Sequence, residues 1–342
     1  MSVRVAFRRF QAYGNPLVTT VRCKRGSNGR IRCQKAAFSS NSTSTLPVET
    51  VTVDGYNDAR DLQSQLKTIV EPYFKQQQPV LVKGALMETP ATKLWSSWDH
   101  WQEAAVDEPM VAVEIGGSYG TDGSQRAEIP FSAYLQFLQL FEERHGRQGD
   151  VDNKAANAIP TEELVYMAQN DLLQPLYKDV FIPDFCQSGS DDDASTSDDA
   201  IGASSQTSIG LGRLYSVMMW LGPRGSYSPL HYDPLDNILM QQMGRKRVLL
   251  MDPSQNAEHW HYAGHDGQQK NTSPFDPEIL DENNDDESRL QTHKSKYPLF
   301  FEKAPPRMEC LLEPGDFLYI PSKWWHHVRS IDTSTSVNVW WR

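Results

Sequence analysis

With 342 residues, 39% of them hydrophobic, 10% aromatic and nine of them Trp, the chain can bury a large core in one domain or two, and no apolar run is long enough to cross a bilayer. The net charge of −11 is uneven: residues 1–48 carry nine Lys/Arg and no acid, which leaves −20 on residues 49–342. So acidic a body repels phosphate backbones, which makes nucleic acid an unlikely main partner and suits a basic protein or peptide substrate, although an acidic surface kept for solubility is the bland alternative.

The first 48 residues read as an address. They are rich in Arg and Ser/Thr, and a helical start would set Val3, Ala6, Phe7 and Phe10 on one face with Arg4 and Arg8 on another. That is the composition of a mitochondrial transit peptide; a disordered basic tail or a nuclear signal within Lys24–Arg32 are the alternatives, with a nuclear or cytoplasmic protein as the outcome. Fused to a fluorescent reporter, residues 1–48 should carry it into mitochondria; a uniformly nuclear or cytosolic signal would rule that address out. Two of the four cysteines, Cys23 and Cys33, lie in this leader, and Cys186 and Cys310 lie in the body. They form no disulfide framework and fit a reducing compartment. Asn271-Thr-Ser matches a glycosylation sequon, but nothing else points to secretion.

The body, 49–342, opens with a helical pattern from Asp58 to about Gln77, where Leu62, Leu66, Ile69, Val70, Tyr73 and Phe74 recur at three- and four-residue steps. "PVLVKGAL" (79–86) reads as a strand, "TKLWSSWDHWQEAA" (92–105) as one helix and "MVAVEIGG" (110–117) as a strand. Pro130 opens a helix, and "ELVYMAQ" (163–169) is a short strand. Polar stretches at 187–208 and 264–289 lack apolar periodicity and read as disordered inserts. After Gly210 short strands follow one another closely, with turn signals at Met243-Gly244 and Glu313-Pro-Gly-Asp316. The fold class is therefore mainly β with flanking helices, as a sandwich, jelly roll or barrel.

Two motifs carry chemistry. In "SPLHYDPLDN" (228–237), His231 and Asp233 stand two apart, and an extended strand turns both to one face, where they could hold a metal. A polar surface turn is the alternative. About a hundred residues later, "EPGDFLYIPSKWWHHVRSI" (313–331) brings His326 and His327. In a strand these point to opposite faces, so only one can join the first pair, and periodicity does not choose between them. Two histidines and one carboxylate on one face of an ion leave coordination positions open, as in non-haem Fe(II) oxygenases. Lys246 starts a predicted strand after Gly244. Facing inward it would demand an anion; facing outward it is a hairpin-tip charge between Arg245 and Arg247.

Residues 220–253, from "WLGPRGSYSPLHYDPLDNILMQQMGRKRVLLMDP", together with "LEPGDFLYIPSKWWHHVRSIDTSTSVNVWW", resemble the JmjC branch of the cupin superfamily. The similarity is strong after Trp220 and weak before Val165. It is closest to the small JmjC-only protein hydroxylases, and "YMAQNDLLQPLYKDVFIPDFC" (166–186) resembles the lead-in segment of the arginyl-hydroxylase subgroup. The resemblance implies a double-stranded β-helix and an Fe(II)- and 2-oxoglutarate-dependent dioxygenase that consumes O2, releases succinate and CO2, and hydroxylates a protein side chain or demethylates an N-methyl group. It implies His231, Asp233 and His326 as catalytic metal ligands, because the family's distal histidine follows an aromatic-Trp pair. It further implies Lys246 on the far carboxylate of 2-oxoglutarate, with Asn237, Ser228, Tyr119 and Trp220 around that co-substrate and Trp340 lining the pocket. His327 stands where relatives often carry Tyr, as a packed residue. No chromatin-reader pattern is visible in these residues, which favours hydroxylation. The rival readings are a catalytically silent cupin-like binding module, disfavoured by the intact ligands and lysine, and an RNA-base hydroxylase, disfavoured by the acidic body. Oligomeric state is not legible.

Overall fold

The computed structural model describes residues 19–25, 31–37, 45–53, 55–116, 125–150, 159–189, 208–254, 271–280 and 287–342. Two N-terminal segments, β1 (Thr19–Arg25) and β2 (Ile31–Ala37), pair as an antiparallel hairpin, while the expected amphipathic start lies outside the described residues. β3 (Leu46–Pro47) and β4 (Thr50–Thr52) then join different sheets of the body.

Helix α1 (Ala59–Gln76) starts where Asp58 accepts a hydrogen bond from the Asp61 amide, and its apolar stripe is buried as the periodicity predicts. β5 (Val80–Lys83) follows. The single helix predicted over 92–105 is two: α2 (Pro90–Leu94) and α3 (Trp98–Ala104). Trp95 and Trp101 are both fully buried, and the Trp101 indole donates to the Trp95 carbonyl at 2.6 Å, an acceptor that a continuous helix would use itself. β6 (Met110–Ile115), β7 (Gln125–Pro130), α4 (Phe131–His145) and β8 (Val165–Asp171) complete the N-terminal part.

The remaining strands are β9 (Leu214–Gly222), β10 (Tyr227–Tyr232), β11 (Asp236–Met243), β12 (Lys246–Met251), β13 (Met308–Leu312), β14 (Phe317–Ile320), β15 (Trp325–Ser330) and β16 (Ser334–Trp341). They form a nine-stranded sheet in the order β4-β5-β14-β11-β16-β9-β8-β6-β7 and a five-stranded sheet in the order β10-β15-β12-β13-β3. The inner faces meet through Leu239, Val248, Leu250, Leu318 and Ile320, and α1 to α4 cover the outer face of the larger sheet. This is the expected jelly roll with flanking helices. Gly244 is required at the β11–β12 turn: its φ is +65°, and a Cβ there would lie 2.3 Å from the Thr333 carbonyl oxygen.

The polar stretch 264–289 is not a loose insert throughout. Residues 271–280 pack on the body, with Phe275 and Ile279 buried, and α5 (Glu287–Lys296) and α6 (Pro298–Lys303) follow. Two apolar anchors among polar residues are too few to show as a period. Residues 190–207 of the first polar stretch lie outside the described residues.

Candidate metal and anion site

β10 carries a proline in mid-strand, and the ladder accommodates it by slipping. Ser228 pairs with Val328, but His231 pairs with His326, so one extra residue is taken up around Pro229 and Leu230. Pro has no amide hydrogen to give to a ladder, and a bulge is where a strand tolerates it. The slip has a consequence for function. Ser228 and His231 are three apart and would face opposite ways in a regular strand, yet both line the same pocket.

His231 and His326 sit directly opposite each other on β10 and β15, with ring centroids 4.2 Å apart. Asp233 follows the end of β10, and its Oδ2 lies 3.7 Å from His326 Nε2. The ligand atoms of all three residues fall within 4.8 Å of one another, the one such group of three among the described residues. Each histidine is oriented by its own strand: His231 Nδ1 is 2.7 Å from the Pro229 carbonyl and His326 Nδ1 is 3.0 Å from that of Trp324. Donation from Nδ1 to a carbonyl fixes the tautomer that leaves Nε2 for a metal. Burial, with the neighbouring His231, holds the His326 imidazole well below its ordinary pKa, so the ring is neutral as a ligand must be. Asp233 Oδ2 accepts from the Trp340 indole at 3.1 Å and stands 3.5 Å from the Asn237 amide nitrogen.

His327 points away, as strand alternation requires. Its Nε2 is 3.3 Å from Glu278 Oε1, and its ring lies 5.9 Å from that of Tyr227. Adjacent histidines are thus divided between the pocket and the outer face of the smaller sheet. Replacing His326 with Ala should therefore abolish stoichiometric metal binding, whereas His327→Ala should keep it. Metal titration of both variants decides this, and loss of stoichiometry in His327→Ala alone would reverse the assignment.

Lys246 begins β12 and is buried, 1% exposed, in the lining of the same pocket. No anionic partner meets it among the described residues, and burial alone pushes its ammonium down to about 7. Its Nζ lies 5.9 Å from the centre of the Tyr166 ring. Tyr166 shares a hydrogen bond with Ser228, and the Asn338 amide donates to Asn237 Oδ1 at 2.6 Å. Leu239, Ile320 and Val328 form the apolar wall. A buried cation, an apolar wall and a three-ligand cluster suit an anion with a carbon chain held near a metal.

The pocket gathers His231, Asp233, His326, Lys246, Asn237, Ser228, Trp220 and Trp340, the residues that the family resemblance implies. Tyr119 lies outside the described residues. The tyrosine that the fold puts in the pocket is Tyr166 on β8, a residue that reads in the sequence only as part of a strand. Its signal is the alternation of that strand, which sets Tyr166 and Ala168 on one face.

A family model described as a cupin-like domain matches residues 66–342. The chain belongs to the cupin-like domain family. This cupin-like chain is similar to "Lysine-specific demethylase JMJ30" of Arabidopsis thaliana, 29% identical over 279 residues that are 81% of this chain and 52% of that protein. It is similar to "Jumonji C domain-containing protein 5" of Drosophila melanogaster, 30% identical over 272 residues, 78% of this chain and 55% of that one. A shorter similarity, 38% over 112 residues, joins it to "tRNA wybutosine-synthesizing protein 5" of Danio rerio, covering 33% of this chain and 28% of that protein. The chain spans about half the length of the first two relatives. Their names confirm the JmjC resemblance; none of the three speaks of arginyl hydroxylation. Among the described residues no helix is long and apolar enough to cross a membrane.

Proposed function

We propose that this cupin-like protein is an Fe(II)- and 2-oxoglutarate-dependent dioxygenase that hydroxylates a side chain of a basic protein or peptide. The observation that supports it is one pocket holding both a His-Asp-His cluster and a buried lysine with no anionic partner among the described residues. Structural ion pairs account for neither. His231, Asp233 and His326 would hold the iron through two neutral imidazoles and one carboxylate, a set that suits Fe(II) and leaves positions open. When bound, the iron supplies the O2 activation that oxidative decarboxylation of 2-oxoglutarate to succinate and CO2 requires.

The chain's own residues do the rest. Lys246 neutralises the far carboxylate as a compact point charge. Tyr166, Ser228 and Asn237 offer polar groups beside it, and Leu239, Ile320 and Val328 sheathe the methylenes and exclude water. Trp340 steadies the Asp233 carboxylate. The same site serves demethylation when the oxidised carbon is an N-methyl group, because the product then loses formaldehyde. The likeness of residues 166–186 to arginyl hydroxylases favours hydroxylation here.

The experiment incubates the protein with Fe(II), ascorbate, 2-oxoglutarate and basic peptides carrying Arg, Lys or methyl-Lys, and reads intact mass. The expected result is a gain of one oxygen on an unmethylated peptide. Loss of methyl with formaldehyde would instead make the protein a demethylase. A tRNA arm covers the likeness to the wybutosine-synthesizing protein, and modification there with none on any peptide would overturn the protein-substrate reading.

A further inference from the structure

Residues 271–280 and 287–304 lie on the outside of the smaller sheet, away from the pocket, and their contacts converge on the neighbours of the two metal histidines. On one side they extend the free edge of β10. The Tyr232 amide donates to the Asn271 carbonyl at 3.0 Å and the Ser273 amide to the Leu230 carbonyl at 2.7 Å, with Thr272 bridged to His231 between them. The Asn271 side chain adds a donor to the Tyr232 carbonyl at 2.8 Å. On the other side Glu278 accepts from Arg329 and reaches His327, both on β15. Between these clamps Phe275, Ile279 and Phe300 pack on Leu230 and Trp325, the residues immediately before His231 and His326. The outward residues on both sides of each histidine thus rest on these residues: Leu230 and Tyr232 for one, Trp325 and His327 for the other.

We infer that residues 271–280 and 287–304 form a strap that sets the spacing of the metal histidines, with Glu278 and Asn271 as positioning residues. The inference rests on the metal-site reading above. Two β-strands joined at a bulge can slide or splay, and among the described residues β10 has β15 as its only other partner in the sheet. Fixing its second edge and bolting both strands to one external body removes that freedom. The carboxylate of Glu278 spans alternate residues of β15 and holds the face opposite His326 still. Asn271 makes two hydrogen bonds to Tyr232, one through its backbone and one through its side chain, and so fixes the strand one residue beyond His231. The strap also occupies the sequon at Asn271, since the amide that glycosylation would modify is a donor to β10.

Cobalt(II) is the probe, because its visible ligand-field spectrum reports donor geometry apart from turnover. The full chain is titrated with Co(II) as wild type, Glu278→Ala, Glu278→Gln and Asn271→Ala, with thermal melting measured in parallel. The expected result is Co(II) affinity about tenfold weaker in Glu278→Ala and Asn271→Ala, the low end for residues that support ligands from behind. The spectrum should shift in both, and Glu278→Gln, which keeps a hydrogen-bonding side chain, should recover part of the affinity. A purely structural strap would lower the melting temperature and leave affinity and spectrum as in wild type, which overturns the inference. If Glu278→Ala does not fold, Asn271→Ala carries the test alone with the same two outcomes. Failure of wild type to bind Co(II) would instead sink the metal site itself.

Discussion

Asp233→Ala should abolish 2-oxoglutarate turnover while leaving the protein folded. Removing residues that only support metal ligands costs about 10–100-fold, so losing the single carboxylate of a three-ligand set should cost more than ~100-fold. The Asp233 side chain contacts Trp340 and Asn237 in the pocket lining and belongs to no apolar cluster. Its loss removes one or two hydrogen bonds, about 1 kcal/mol each at most, and shifts melting by no more than a few degrees. His231→Ala should behave likewise. Circular dichroism and succinate release on the same preparations check both parts, and an active, iron-dependent Asp233→Ala protein would refute the ligand assignment.

Lys246→Ala should raise the KM for 2-oxoglutarate far more than it weakens metal binding. Losing a charge-assisted hydrogen bond inside a buried pocket costs on the order of 2–5 kcal/mol, about one and a half to four decades in affinity. Lys246→Arg should rescue only in part, because a planar fork does not fill the place of a compact ammonium. The pH dependence has a definite sign. Burial alone sets the Lys246 ammonium near 7, below its ordinary value. A dianion binds the protonated form, so above that pH binding must take up a proton. Affinity should then fall about tenfold per pH unit above 7 and level off below it. The slope should vanish in Lys246→Ala. An unchanged KM in that variant would make Lys246 a structural oddity and move the anion to another basic residue.

Much of the site was legible because its chemistry is local in sequence. His-x-Asp is such a short pattern, the family resemblance singles out the histidine after the aromatic-Trp pair and the lysine just past the glycine turn, and the fold brings all three into one pocket. Other features depend on tertiary pairing that sequence does not encode locally. Strand alternation separates Ser228 from His231, and only the bulge at Pro229–Leu230, fixed by pairing with β15, reunites them. Tyr166 comes from a strand some sixty residues upstream, where one aromatic in an alternating run looks like core. The strap formed by residues 271–280 and 287–304 reads as polar sequence because Phe275 and Ile279 are buried by partners on β10, β12 and β15 rather than by a period of their own. The predicted helix over 92–105 failed for a local reason instead: the Trp101 indole takes the Trp95 carbonyl six residues earlier, a side-chain bond that helix periodicity does not anticipate.

The central claim is that one pocket binds Fe(II) and 2-oxoglutarate and turns the latter over. The most direct measurement is succinate released by the full chain from 2-oxoglutarate in the presence of Fe(II), ascorbate and O2. Turnover without a prime substrate is expected to be slow, so the basic peptide pool is added in a second arm. Succinate should form in the wild type, rise with the peptides, and be absent from Asp233→Ala and from wild type stripped of metal. Succinate at the same rate in wild type and Asp233→Ala, or none from wild type with stoichiometric iron bound and every substrate pool supplied, would contradict the account.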